Sequence, residues 1–112
     1  MLASANRLTK ESDFKQLAGK GKPFYSSLMA VKVLKNALAE SRFGIIISTK
    51  VSKKAVVRNQ LKRRLSEIIR LNLGKLKKGF DVIVLTKPDL AKRSYAEIES
   101  ELAQLLKKAG LL

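Results

Sequence analysis

The stretch Lys50 to Arg70, KVSKKAVVRNQLKRRLSEIIR, constrains the fold more than any other. Val57, Leu61, Leu65, Ile68 and Ile69 recur at helical spacing, so a helix from about Ala55 to Asn72 must bury one face. What surrounds that face is basic. Seven Lys/Arg fall between Lys50 and Arg64 (Lys50, Lys53, Lys54, Arg58, Lys62, Arg63, Arg64), and no acid occurs between Glu40 and Glu67. A helix that docks on a core and also presents this much uncompensated charge calls for a polyanion on its free side.

The rest of the chain must supply the core. With 112 residues, 46% of them hydrophobic, residues 1–112 read as a single ordered domain. Lys and Arg number 24 against 9 Asp and Glu, a net +15. Nucleic acid is the first partner that such an excess implies, and an anionic membrane surface the second. There is no Cys and no His. Disulfides, thiolate metal sites and Cys nucleophiles are excluded, and so is the commonest general base near neutral pH. The acids are scattered and support no metal box. No run approaches the ~18–20 apolar residues of a membrane span, and MLASANRLTKESDF has no apolar core of signal-peptide type. The expectation is a soluble, cytoplasmic protein.

Thr9 is the expected N-cap of a first helix, with Glu11 and Asp13 in its first turn and Phe14, Leu17 and Ala18 on its apolar face. Gly19 to Pro23 stops it, and Phe24-Tyr25 anchors the start of the strand that follows. Leu28 to Lys35 and Arg42 to Thr49 read as two strands, and their short connection predicts an antiparallel hairpin. The unbroken Ile45-Ile46-Ile47 predicts burial on both faces of the second. After the basic helix, Gly74 and Gly79 frame a Lys-rich loop, and Phe80 to Thr86 is a third strand, apolar enough to be central. Pro88 breaks it, a turn of helix is expected over Asp89 to Arg93, and Ser94 with Glu97 forms a capping box. The last helix carries Tyr95, Ile98, Leu102, Leu105, Leu106 and Ala109 as its apolar stripe, with Gly110 as the stop. The order is αββαβα, an α/β (α+β) sandwich with helices packed on a small central sheet. If the second and third strands are parallel neighbours, the basic helix is a βαβ crossover.

Turned at 100° per residue, Arg58, Asn59, Lys62, Arg63 and Arg70 form one polar stripe beside the buried arc, interrupted only by Ser66. Arg64 lies on the far flank. Arg forks fit phosphate oxygens in pairs, and Asn can bond a base edge or a sugar hydroxyl. Lys50, Lys53 and Lys54 precede the helix, where free N–H groups also favour phosphate. Six phosphate contacts would give a log–log salt slope of roughly −4 to −5.

Arg58-Asn59-Gln60-Leu61-Lys62-Arg63 resembles the Arg-Asn-Arg-x-Lys-Arg helix of the bacterial ribonuclease P protein subunit family. The resemblance covers nearly the whole chain. Asn6-Arg7-Leu8 with Asp13-Phe14 looks like the family's opening, Arg42-Phe43-Gly44-Ile45 through Lys50 like its second strand and turn, and Ala55 to Asn59 like its helix start. Gln60 stands where the family has Arg, the Lys50 to Lys54 turn lacks the frequent Gly, and Ala18 and Lys32 replace aromatics. The resemblance implies an unusual left-handed βαβ crossover. It also implies a subunit that binds a catalytic RNA and the 5′ leader of precursor tRNA, one protein per RNA, in a ribonucleoprotein that removes the leader. No catalytic residue and no direct metal ligand would lie in the protein, with Mg²⁺ held mainly through the RNA. Arg58, Asn59, Lys62 and Arg63 would face the catalytic RNA, and Arg7, Phe14 and Lys32 the leader. A structural RNA binder such as a ribosomal protein is the alternative reading.

Overall fold

The structure, a computed structural model, describes residues 2–112. A 3-10 turn at Ser4–Asn6 precedes helix α1 (Glu11–Lys20) and strands β1 (Lys22–Tyr25), β2 (Met29–Lys35) and β3 (Arg42–Ile46). Helix α2 (Ala55–Asn72), strand β4 (Phe80–Thr86), a 3-10 turn (Pro88–Lys92) and helix α3 (Tyr95–Lys108) follow. The sheet order is β1-β2-β4-β3, with β3 and β4 parallel and the other pairs antiparallel.

The expected hairpin between the second and third elements of the sheet does not form. β4 lies between β2 and β3 and pairs with both. Val82, Ile83 and Val84 are all buried, so β4 is the strand that gains most from a central place. The chain from β2 to β3 instead passes around the end of β4. Asn36 N–H bonds Gly79 O, and Asn36 Nδ2 reaches both Glu40 O and Asp81 Oδ1. β3 is consequently an edge strand. It stops at Ile46 rather than Thr49, and Ile46 is 41% exposed, so the Ile run is not buried on both faces.

β1 is a fourth strand where only an anchor was expected. Its Pro23 hides it from a strand reading, yet Pro is tolerated on an edge. Thr9 is not the N-cap: α1 begins at Glu11 after Lys10, with no side-chain cap. Leu8 N–H bonds Phe43 O, which holds the preceding segment extended along β3 and delays the helix. α2 has the expected bounds, buries Leu61, Leu65, Ile68 and Ile69, and seats Asn72 Nδ2 on Ile68 O. In α3 the Ser94–Glu97 capping box is formed. Tyr95, at the first helical position, is 38% exposed rather than part of the buried stripe.

Two layers of core result. Val31, Val33, Phe43, Val82 and Val84 meet α2 and α3 on one sheet face. Ile83 meets Leu8 and Leu17 on the other, beneath α1. The hand of the β3–α2–β4 crossover follows from Phe43. Its side chain joins the α2 side, while its carbonyl accepts from Leu8 on the edge away from β4. For an L-residue in a strand running upward with its side chain toward the viewer, N–H and C=O point right; chirality at Cα requires it. β4 therefore lies to the left of β3 beneath α2, and the crossover is left-handed, against the usual rule.

Candidate nucleic-acid interface

The turn before α2 is pinned from inside. Val51 is buried, its N–H bonds Ser48 O, and Ser52 Oγ accepts from Lys54 N–H. Lys50, Lys53 and Lys54 are left exposed around it. Arg58 is half-buried, and its Nη1 donates to Ser52 O at 2.9 Å. It braces the turn that carries the lysines as well as belonging to the stripe.

Asn59, Lys62 and Arg63 are exposed around a hollow of about 250 Å³ whose floor is Ser66. A small buried residue at position 66 leaves that depression between longer neighbours. Lys62 and Ser66 also line a second hollow of about 200 Å³, shared with Arg7, Phe14 and Phe43. Phe14 in turn lines a groove of about 290 Å³ between α1 and the sheet, with Lys32, Ile46 and Leu85. The three depressions adjoin in a row, a path along the surface in which the first two share Lys62 and Ser66 and the last two share Phe14. It brings together Asn59, Lys62, Arg63, Arg7, Phe14 and Lys32, residues drawn from four separate parts of the chain.

Each is held by local structure. Asn6 is buried and donates to Ser41 O at 2.9 Å, while Leu8 enters the core, so Arg7 between them points outward. Arg7 Nη2 reaches Ser4 Oγ at 3.2 Å. Phe14 is half-buried over Gly44. Lys32 Nζ donates to Ala18 O at 2.8 Å, an end-of-helix carbonyl of α1, and retains two donors for a ligand.

Arg70, a member of the expected stripe, is exposed but paired within α2. Its Nε and Nη2 donate to Glu67 at 3.0 and 2.5 Å, and this pairing holds the Glu67 carboxyl below its ordinary range and raises the Arg70 guanidinium. Among the described residues Lys50, Lys53, Lys54, Arg58, Lys62 and Arg63 make no ion pair.

The ion pairs that brace the α1 groove escaped sequence reasoning. Arg42 forks Asp81 (Nε–Oδ1 2.9 Å, Nη2–Oδ2 2.7 Å) and reaches Asp13 at 3.2 Å, tying α1 to the sheet. The Asp81 hydrogen bond raises the Arg42 guanidinium further. Asp13 and Asp81 are therefore structural, and among the described residues no group of three acids could hold a metal. Tyr25 is 61% exposed and pairs with Ala30, which puts it on the same sheet face as Lys32.

The family model for ribonuclease P matches residues 2–110. A ribonuclease P protein component from Clostridium botulinum is 38% identical over 107 residues, covering 95% of this chain and 96% of the relative. Among solved structures, the RNase P protein from Thermotoga maritima is 34% identical with a TM-score of 0.84, covering 92% of this chain and 96% of that one. The Staphylococcus aureus RNase P protein is 27% identical with a TM-score of 0.89, covering 96% and 98%. Sequence, fold and basic path agree: the chain belongs to the ribonuclease P protein component family, as a protein subunit of ribonuclease P and not a ribosomal protein.

Proposed function

We propose that the path from α2 to the α1 groove is where the subunit holds two RNAs at once. The α2 end, with Lys50, Lys53, Lys54, Arg58, Asn59, Lys62 and Arg63, binds the phosphates of the catalytic RNA. The groove end, with Arg7, Phe14 and Lys32, takes the single-stranded 5′ leader of precursor tRNA, one base stacking on Phe14. The observation that supports this reading is the sharing of Lys62, Ser66 and Phe14 between adjacent hollows, so that the two surfaces adjoin.

The protein binds and positions, and one protein acts per catalytic RNA in the cytoplasm. It has neither His nor Cys for proton transfer. Its donor set does not fit a resident Mg²⁺: the acid on α2, Glu67, is occupied by Arg70, and the carboxylate that lines the α1 groove, Glu11, stands alone there and pairs with Lys15. Mg²⁺ belongs on the RNA phosphates, where hard oxygen ligands are plentiful.

Binding of the catalytic RNA by Lys62→Ala with Arg63→Ala tests the α2 end. Both side chains are exposed, so the melting temperature should hold while the log–log salt slope becomes shallower by about 2. An unchanged slope would make the stripe a solvated face. Arg58 is a poorer choice, because its removal also frees the Ser52 turn.

A further inference from the structure

A second basic groove crosses β1, β2 and the start of β4. Lys20, Lys22 and Lys35 surround Phe24 and Phe80 in a depression of about 380 Å³ beside Ala109, with no carboxylate in its lining. The strand register pairs Lys22 with Val33, Phe24 with Val31 and Lys35 with Phe80, so these four side chains share one sheet face. Lys22 Nζ stands 5.5 Å from the centroid of the Phe24 ring. Both rings are half-buried, and among the described residues none of the three lysines makes an ion pair. The negative end of the α3 dipole, which ends here, is offset by Lys107 and Lys108 in its last turn.

We propose that this groove is a further binding site for single-stranded RNA. Its lysines take phosphates and its two rings take unstacked bases. Duplex is disfavoured because paired bases keep their faces covered, whereas rings recessed among cations suit splayed nucleotides. The groove shares no lining residue with the path from α2 to Phe14. The groove therefore takes nucleotides other than those held at Lys62 and Arg63.

The test is photo-cross-linking of a 4-thiouridine hexamer to the full chain, with the modified peptides mapped by mass spectrometry. The expected result is a cross-link in a peptide containing Phe24 or Phe80. Lys22→Gln with Lys35→Gln, both exposed positions, should lower that cross-link about tenfold, and Phe24→Leu should lower it with packing retained. Lys92→Gln, a charge loss elsewhere, should leave it unchanged. Lys62→Ala with Arg63→Ala should also leave it unchanged, which separates this site from the α2 stripe. Absence of the cross-link, or its persistence in the Lys22/Lys35 variant, would overturn the proposal.

Discussion

Phe14 rests directly on Gly44: a β-carbon at position 44 would stand 2.6 and 2.7 Å from the ring atoms Cε1 and Cζ. A strand glycine is often the mark of such a close approach. Gly44→Ala should push the ring out of its place, costing about 1–3 kcal/mol of stability. It should also weaken precursor tRNA carrying a leader more than leaderless tRNA in a binding titration. Equal weakening of both would remove Phe14 from the leader groove.

Arg42 and Asp81 set the frame for that groove. Asp81 is only 7% exposed, and Arg42 supplies its two-pronged partner. Arg42→Met leaves the carboxylate buried with Asn36 as its remaining side-chain donor. The expected cost is about 2–4 kcal/mol in urea unfolding. Asp13→Asn, at a longer 3.2 Å contact with partial exposure, should cost under about 1 kcal/mol. Similar values for the two would show that the fork carries no special weight.

Glu67 restrains Arg70, so removing it should strengthen RNA binding. In Glu67→Gln the guanidinium is released to the stripe. The expected change is an affinity gain of about twofold and a log–log salt slope steeper by about 0.7–0.9. An unaltered slope would place Arg70 off the RNA.

Acid sensitivity follows from the same carboxylates. Glu67, Glu97 and Glu101 are each held below the ordinary value of 4.5, by the Arg70 hydrogen bond, the Ser94 backbone N–H and the Ser27 hydroxyl respectively. A depressed folded pKa gives stability that is present above the unfolded value and lost as pH falls through the folded one. Melting temperature should thus be flat from neutral pH to about 5 and decline below about 4.5. Ser94→Ala, which breaks the capping box, should lower stability by about 1 kcal/mol and soften that acid limb. An identical limb would mean Glu97 contributes nothing to it.

The parts of this molecule legible from sequence are those governed by local pattern. α2 repeats its apolar face over five turns, and Ser94 meets Glu97 three residues away. Both emerge where expected. The strand order was not legible, because the insertion of β4 between β2 and β3 depends on which strand is apolar on both faces and on a six-residue link that can pass around its end. Contacts between distant residues, such as Arg42 with Asp81 or Phe14 with Gly44, leave no local trace. Arg70 is a different case. The Glu67-to-Arg70 spacing of i, i+3 was visible, and the pairing follows from ordinary helix geometry, yet a wheel sorted by charge alone set the two apart. The basic stripe proposed to face RNA was legible because the acids that usually interleave a solvated face are missing from 41–66.

The proposed role is that this chain enables a ribonuclease P RNA to process precursor tRNA. Its most direct measurement is the cleavage rate of precursor tRNA by a cognate bacterial ribonuclease P RNA at low Mg²⁺, with and without the protein. The protein should restore 5′ cleavage, and Lys62→Ala with Arg63→Ala should restore it less. No stimulation with the cognate RNA would contradict it.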